Sequence, residues 1–306
     1  MKRREFIGRG AAALTGLSLP VRRMFDSENP AVDRAPERGN YMDKVHEAVS
    51  YRKIDLHNHI NLEERNAASV DESCRRVGIT RTVVSNILGA DPGEIRENND
   101  VVLDAMKAYP DRIMGSCYIN PGFTRESLEE IDRCVDQGMV MVGELYKDYK
   151  INDPVYYPII ERCIDHKIPL MMHGAAHLGQ WRPEYHTDNP LSTSTPQDFV
   201  DIGQRYPEAM IIYGHIGGGG DWEYACKVLR EAPSVYAETS GSVSDEAMID
   251  LAVESLGADR LLFATDVNYE TGVGKVMHAK LTEEQRRKIF FDNFNNLLRA
   301  AGNHVD

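Results

Sequence analysis

Histidines and carboxylates recur in this chain at the ends of short apolar runs. Asp55-Leu56-His57-Asn58-His59 closes the first run, Gly143-Glu144 a later one, and Met172-His173, Gly214-His215 and Thr265-Asp266 follow further along. Side chains alternate along an extended strand, so His57 and His59 project to the same side and can hold one ion together through their imidazole nitrogens. With His173 and Asp266 they make three neutral nitrogens and one carboxylate. That set suits zinc, with manganese the alternative, and leaves a position for water or substrate. A cation so held lowers the pKa of bound water to roughly 7–9 and supplies hydroxide near neutral pH. One histidine alone is more often a satisfied core residue, but ligand-type residues on so many separate runs make that a poor explanation.

These residues are far apart in sequence, so the elements that carry them must converge. Strands are predicted at 53–57, 80–85, 112–118, 140–145, 169–173, 210–215, 235–239 and 261–266, each a short apolar or β-branched run. Stretches with helical period lie between them, at 66–77, 94–108, 125–137, 155–165, 198–206, 222–231 and 245–256, and a last one at 282–301 follows the eighth strand. Eight such units fit an α/β fold, the (β/α)8 TIM barrel, in which all strand ends open onto one face. An open doubly wound sheet would show fewer strands and a glycine-rich phosphate turn after the first. No G-x-G-x-x-G follows the first strand, and the glycine run at 217–220 follows the sixth.

The 306 residues suffice for one such barrel plus a tail, and a hydrophobic content of 42% with 27% charged residues is that of a globular chain. A net charge of -13 repels nucleic acid and anionic membrane surfaces, which leaves a small molecule as the expected substrate. Five cysteines without C-x-x-C spacing read as buried thiols. No apolar run is long enough for a membrane span. Residues 1–20, MKRREFIGRGAAALTGLSLP, place Arg3 and Arg4 ahead of Phe6-Ile7 and a mild apolar segment, the pattern of a twin-arginine export signal. This predicts a folded, metal-loaded protein delivered by the twin-arginine translocation machinery to the periplasm or another extracytoplasmic space. No A-x-A site follows, so cleavage and retention as an anchor both stay open. Residues 21–40 are charged, contain Pro30 and Pro36, and read as a linker. The organisation expected is therefore 1–40 as signal and linker, and 41–306 as a single domain.

The stretches IDLHNH at 54–59, NDPVYYPIIERCIDHKIPLMMHG at 152–174, IIYGHIGGG at 211–219, VYAETSGS at 235–242, LLFATD at 261–266 and NFNNLL at 293–298 carry a family likeness. In this order the chain resembles the metal-dependent hydrolases of the amidohydrolase superfamily. It is most similar to the branch with aminocarboxymuconate-semialdehyde decarboxylase, resorcylate-type decarboxylases and several lactonases. The resemblance implies that His57, His59, His173 and Asp266 hold the metal, that His215 polarises bound water or substrate, and that Asp266 doubles as proton acceptor. Asp55 is expected to support a ligand by hydrogen bonding. Barrels of this branch are often dimers, so a homodimer is the implied assembly.

One departure concerns the fourth strand, where many relatives carry a lysine and this chain has Glu144, in VGELYKDY. A carboxylate there can bridge two ions, as in the TatD-like branch, orient a ligand histidine, or bind a substrate cation. The HIGGG stretch resembles the one-ion branch, so one ion is favoured and two stay open. The long loop after the fifth strand carries His177, Trp181, Arg182, Tyr185 and His186. There Arg182 is suited to bind a substrate carboxylate beside Trp181, and Tyr146 and Lys147 after the fourth strand are further substrate-binding candidates. The activity expected first is hydrolysis of an ester, lactone or amide bond by metal-activated water. The alternative is non-oxidative decarboxylation of a small carboxylic acid. A TatD-like nuclease is disfavoured by the acidic charge, and a non-catalytic metal-binding protein on the same barrel is the last reading.

Overall fold

The computed structural model describes residues 38–61, 65–146, 149–176 and 193–306. Two units are distinguished, residues 1–43 and Lys44–Asp306. The described part of the first, 38–43, is helical, and the second carries the sheet. Eight strands, β1 (Ile54–His59), β2 (Arg81–Ser85), β3 (Ile113–Cys117), β4 (Met141–Leu145), β5 (Leu170–His173), β6 (Ile211–Gly214), β7 (Val235–Glu238) and β8 (Leu261–Leu262), pair in sequence order. Every pairing is parallel. Beyond β8 the chain reaches back to β1: Leu56 N donates to Phe263 O and Asp266 N to His57 O, which brings the first and last strands together as in a (β/α)8 barrel.

The helices are α1 (Arg38–Ser50), α2 (Ala67–Arg76), α3 (Pro92–Ala108), α4 (Thr124–Asp136), α5 (Tyr157–His166), α6 (Pro196–Arg205), α7 (Trp222–Val228), α8 (Met248–Leu256), α9 (Tyr269–His278), α10 (Glu283–Arg287) and α11 (Asn293–Arg299). None among the described residues is long and apolar enough to cross a membrane. Local chemistry sets several starts: the Asp91 carboxylate accepts from Gly93 N and Glu94 N ahead of Pro92, and Thr282 and Gln285 cap one another reciprocally.

Apolar residues divide into two sets. One fills the space between strands and helices, as with Phe199 packed edge-on against Tyr213. The other draws on strands all round the ring, with Leu56, Val83, Met114, Met141, Met171, Ile212 and Leu262, and is closed below by Phe294 and Leu298 of α11. It therefore fills the barrel interior. All five cysteines are buried and free.

Some elements differ from the sequence expectation for identifiable reasons. β8 has two residues instead of six, because Phe263 N donates to Ile289 O and Asp266 and Val267 take positive φ. The expected final helix is interrupted by a π-helical turn, Lys288–Asp292, which buries Ile289, Phe290 and Phe291 in succession, as one stripe of an α-helix does not. The periodic reading missed α9, whose Gly272 and Gly274 weaken the helical pattern; Gly272 lies so close to Thr265 that an added Cβ would sit 2.8 Å from its Cγ2. α1 runs through residue 40, where the linker was expected to end.

Candidate metal centre

The parity of β1 poses a problem that a bulge solves. Ile54 and Leu56 belong to the inner apolar set, so strict alternation would turn His57 and His59 away from the barrel axis. Between Asp55 and Asn58 the register against β2 shifts, three steps on β1 facing two on β2, and parity inverts. β4 does the same: Met141 is inner, the register against β5 shifts between Val142 and Leu145, and Glu144 arrives among the histidines. Both bulges lie where ligand-type side chains are needed.

His57 Nε2 lies 3.1 Å from His59 Nε2 and 3.2 Å from Glu144 Oε2. His59 Nε2 lies 3.4 Å from both Glu144 Oε2 and Asp266 Oδ1. On the other side of Glu144, Oε1 is 2.9 Å from His173 Nδ1 and 2.8 Å from His215 Nε2. Ligand atoms of His57, His59 and Asp266 fall within 4.8 Å of one another, and those of Glu144, His173 and His215 form a second such group. The structure thus brings together all the metal-type residues singled out in the sequence, but it seats His173 with Glu144 and His215 and not in the group of His57, His59 and Asp266.

Glu238, which the sequence reading passed over, fixes two of the imidazoles. Fully buried, it faces His57 Nδ1 at 3.1 Å and accepts from His215 N at 2.7 Å and from the Ser240 amide and hydroxyl. Its signal was present, a glutamate ending the apolar run VYAE, but no ligand function pointed to it. His59 Nδ1 faces Ser85 Oγ at 3.1 Å and His215 Nδ1 faces Ser240 Oγ at 2.8 Å. A proton on each outer nitrogen, shared with these partners, would leave the inner Nε2 atoms of His57, His59 and His215 with lone pairs for a cation. Asp55 is a hydrogen-bonding support, as expected: it accepts from Thr265 N and Thr265 Oγ1, at 3.0 and 2.6 Å, while Asn58 Oδ1 accepts from Val267 N. Together they clamp the positive-φ turn that presents Asp266.

The electrostatics call for positive charge. Burial pulls the His57 pKa down, yet Glu144, Glu238 and Asp266 override it and hold it well above the ordinary value. Burial would raise Glu144, but His57, His215 and His173 hold it well below the usual carboxylate range, and His59, His57 and His215 do the same for Asp266. Lone-pair atoms packed this closely repel unless a proton or cation lies between them. Separations near 3 Å are the edges of a tetrahedral or octahedral shell with bonds of about 2.0–2.1 Å. The residues therefore fit a divalent ion. Tyr146 stands edge-on to His173, ring centroids 4.6 Å apart. Lys147, His177, Trp181, Arg182, Tyr185 and His186 lie outside the described residues.

Residues 54–299 match the amidohydrolase family. The chain belongs to this family. Over 247 residues the chain is 23% identical to the gamma-resorcylate decarboxylase of a Polaromonas species, an alignment that covers 67% of this chain and 76% of that protein. Its fold is shared with the 2,6-dihydroxybenzoate decarboxylase from Rhizobium (TM-score 0.63, 19% identity, 82% of this chain and 100% of that one). A 5-carboxyvanillate decarboxylase from Novosphingobium aromaticivorans, complexed with manganese and 4-hydroxy-3-methoxy-5-nitrobenzoic acid, superposes similarly (TM-score 0.63, 16% identity, 82% and 97% covered).

Proposed function

We propose that this protein is a metal-dependent, non-oxidative decarboxylase of a small aromatic acid. The observation that carries the reading is the convergence of His57, His59 and Asp266 beside Glu144, His173 and His215 at the open barrel end, in a chain that is similar over two thirds of its length to a gamma-resorcylate decarboxylase. Decarboxylation thus takes precedence over the hydrolysis first expected from the sequence.

His57, His59 and Asp266 hold a divalent ion, zinc or manganese, the latter being the metal in the carboxyvanillate decarboxylase structure. When bound, it supplies a Lewis acid that draws the substrate's oxygens into a fixed pose. The protein residues do the rest. Ser240 and Glu238 hold the His215 ring in one orientation, with Nε2 facing the site. Asp266 and His173 are the donors most open to the mouth, with side chains 29% and 23% exposed, against 6% or less for His57, His59, Glu144 and His215. Asp266, ionised at rest, takes a proton from a solvent water and hands it to the ring carbon; the bond to the carboxyl carbon breaks, its electron pair stays with the ring, and carbon dioxide leaves, the hydroxide left behind balancing the lost carboxylate charge. Arg182 and Trp181, with Tyr146 and Lys147, select the substrate. Residues 1–20 direct export through the twin-arginine machinery, and the protein works as a homodimer outside the cytoplasm.

The test is carbon dioxide release from hydroxylated benzoic acids by the purified, metal-loaded protein. Release that stops with chelator and in Asp266→Asn is the expected result. Cleavage of lactones or esters without carbon dioxide release would return the hydrolase reading to first place.

A further inference from the structure

We infer that Lys275 of α9 is a positioning residue for the site: its side chain ties the loop after β7, which orients the His215 ring, to the β8 and β1 side of the rim, which presents Asp266 and His57. The inference deepens the reading above and rests on its premise that both sides serve one site.

The rim divides into two backbone units. On one side the loops after β6 and β7 are laced together, with Gly217 N donating to Ser240 O and Val243 N to Gly217 O, at 3.0 and 3.1 Å. This lacing brings the Ser240 hydroxyl to 2.8 Å from His215 Nδ1. On the other side Asp266 N donates to His57 O, and the amide and hydroxyl of Thr265 donate to the Asp55 carboxylate. α9 is seated on this second side, because Gly272 packs directly against Thr265.

Between the two units the ladder ends early. β8 has two residues, and its pairing with β7 stops at Glu238 and Leu262. One step further, Thr239 N donates to Leu262 O, and the Thr239 hydroxyl donates to Ala264 O and accepts from Ala264 N. Residues 240–243 then turn to the β6 side. Among the described residues, the hydrogen bond that joins 240–243 to the β8 side is the one from Lys275 Nζ to Gly241 O, at 2.7 Å.

The residue type suits the task. A flexible four-carbon stem from the second turn of α9 spans the seam, and a charged donor holds a carbonyl more strongly than a neutral one. Burial lowers the Lys275 pKa, and the carboxylates of Glu238 and Asp266, one from each side of the seam, act against that shift. The charge therefore draws the two sides together where the ladder has ended.

The experiment compares the full-length protein with Lys275→Met, which keeps the length of the side chain and removes the donor. Hydrogen exchange at the Ser240 and Val243 amides should be about ten- to a hundredfold faster in the variant. A role in stiffening the loop alone would stop there, so the site itself is read as well. The cobalt-loaded variant should show a shifted visible absorption spectrum, and competition with a chelator should show metal held about tenfold more weakly. Should Lys275→Met not fold, Lys275→Cys alkylated with bromoethylamine restores the amine. The position lines a cavity of about 320 Å³ with Ser244, Ala247, Thr271 and His278, which admits the reagent, while the five native thiols are buried. Alkylation should return exchange, spectrum and affinity to wild-type values. Unchanged exchange in Lys275→Met, faster exchange with unaltered spectrum and affinity, or no recovery on alkylation overturns the inference. Failure of the functional reading is separable: a wild type that releases carbon dioxide beside a variant matching it in exchange and spectrum sinks the role of Lys275 alone, and the expected changes in a protein that releases none sink the decarboxylase alone.

Discussion

At the scale of single residues, the site owes its shape to groups that do not themselves face the ion. Glu238 is the clearest case. It joins β7 to histidines of β1 and β6, and its charge faces the outer nitrogen of His57. Partners of this kind set both the tautomer and the basicity of a ligand, and their loss costs about 10–100-fold in metal affinity. Glu238→Gln keeps the volume and removes the charge. Competition with a fluorescent chelator should therefore show metal held about ten- to a hundredfold more weakly, with the fold intact. Unchanged affinity would mean that Glu238 merely fills space.

At the scale of elements, bulged strands do what regular ones could not. In β4 the bulge relies on Gly143, whose φ of 114° is open to glycine and strained for any other residue. An added Cβ there would lie 2.1 Å from Met171 O on β5, a collision with backbone that no side-chain rotation relieves. Gly143→Ala should destabilise the fold by about 2–4 kcal/mol, which corresponds to a melting point lower by roughly 5–10 °C. Because Glu144 is the next residue, bound metal should fall as well. Calorimetry together with elemental analysis checks both, and a variant that melts and binds metal like the wild type would refute the account.

At the scale of the whole molecule, stability has a pH dependence of its own, set at the opposite end of the barrel. Lys53 is completely buried, with its amine donating to Ala48 O, Tyr51 O and Gly78 O and lying over the Phe290 ring. Burial lowers its pKa from 10.5 to about 8. Between these values the unfolded chain binds the proton that the folded chain has released, so stability rises with pH across that window. The penalty for the buried charge is fully present below pH 8. Urea unfolding of the wild type and Lys53→Met, compared at pH 8 and 10, should show the wild type gaining on the variant by about 1–3 kcal/mol. Parallel profiles for the two proteins would rule out Lys53 as the source.

Much of this was legible without coordinates. The alternation of apolar runs with helical periods specifies eight β/α units, because the periods of burial, two for strands and 3.6 for helices, are local properties of the chain. The histidines and carboxylates at strand ends are likewise visible as residue types. What the sequence could not decide is which of them share an ion. That depends on parity, and parity depends on the register shifts in β1 and β4, which exist only where one strand is laid against its neighbour. Glu238 stayed hidden for the same reason: a glutamate's hydrogen bonds to His57 and His215, far away in sequence, are made by the closure of the barrel.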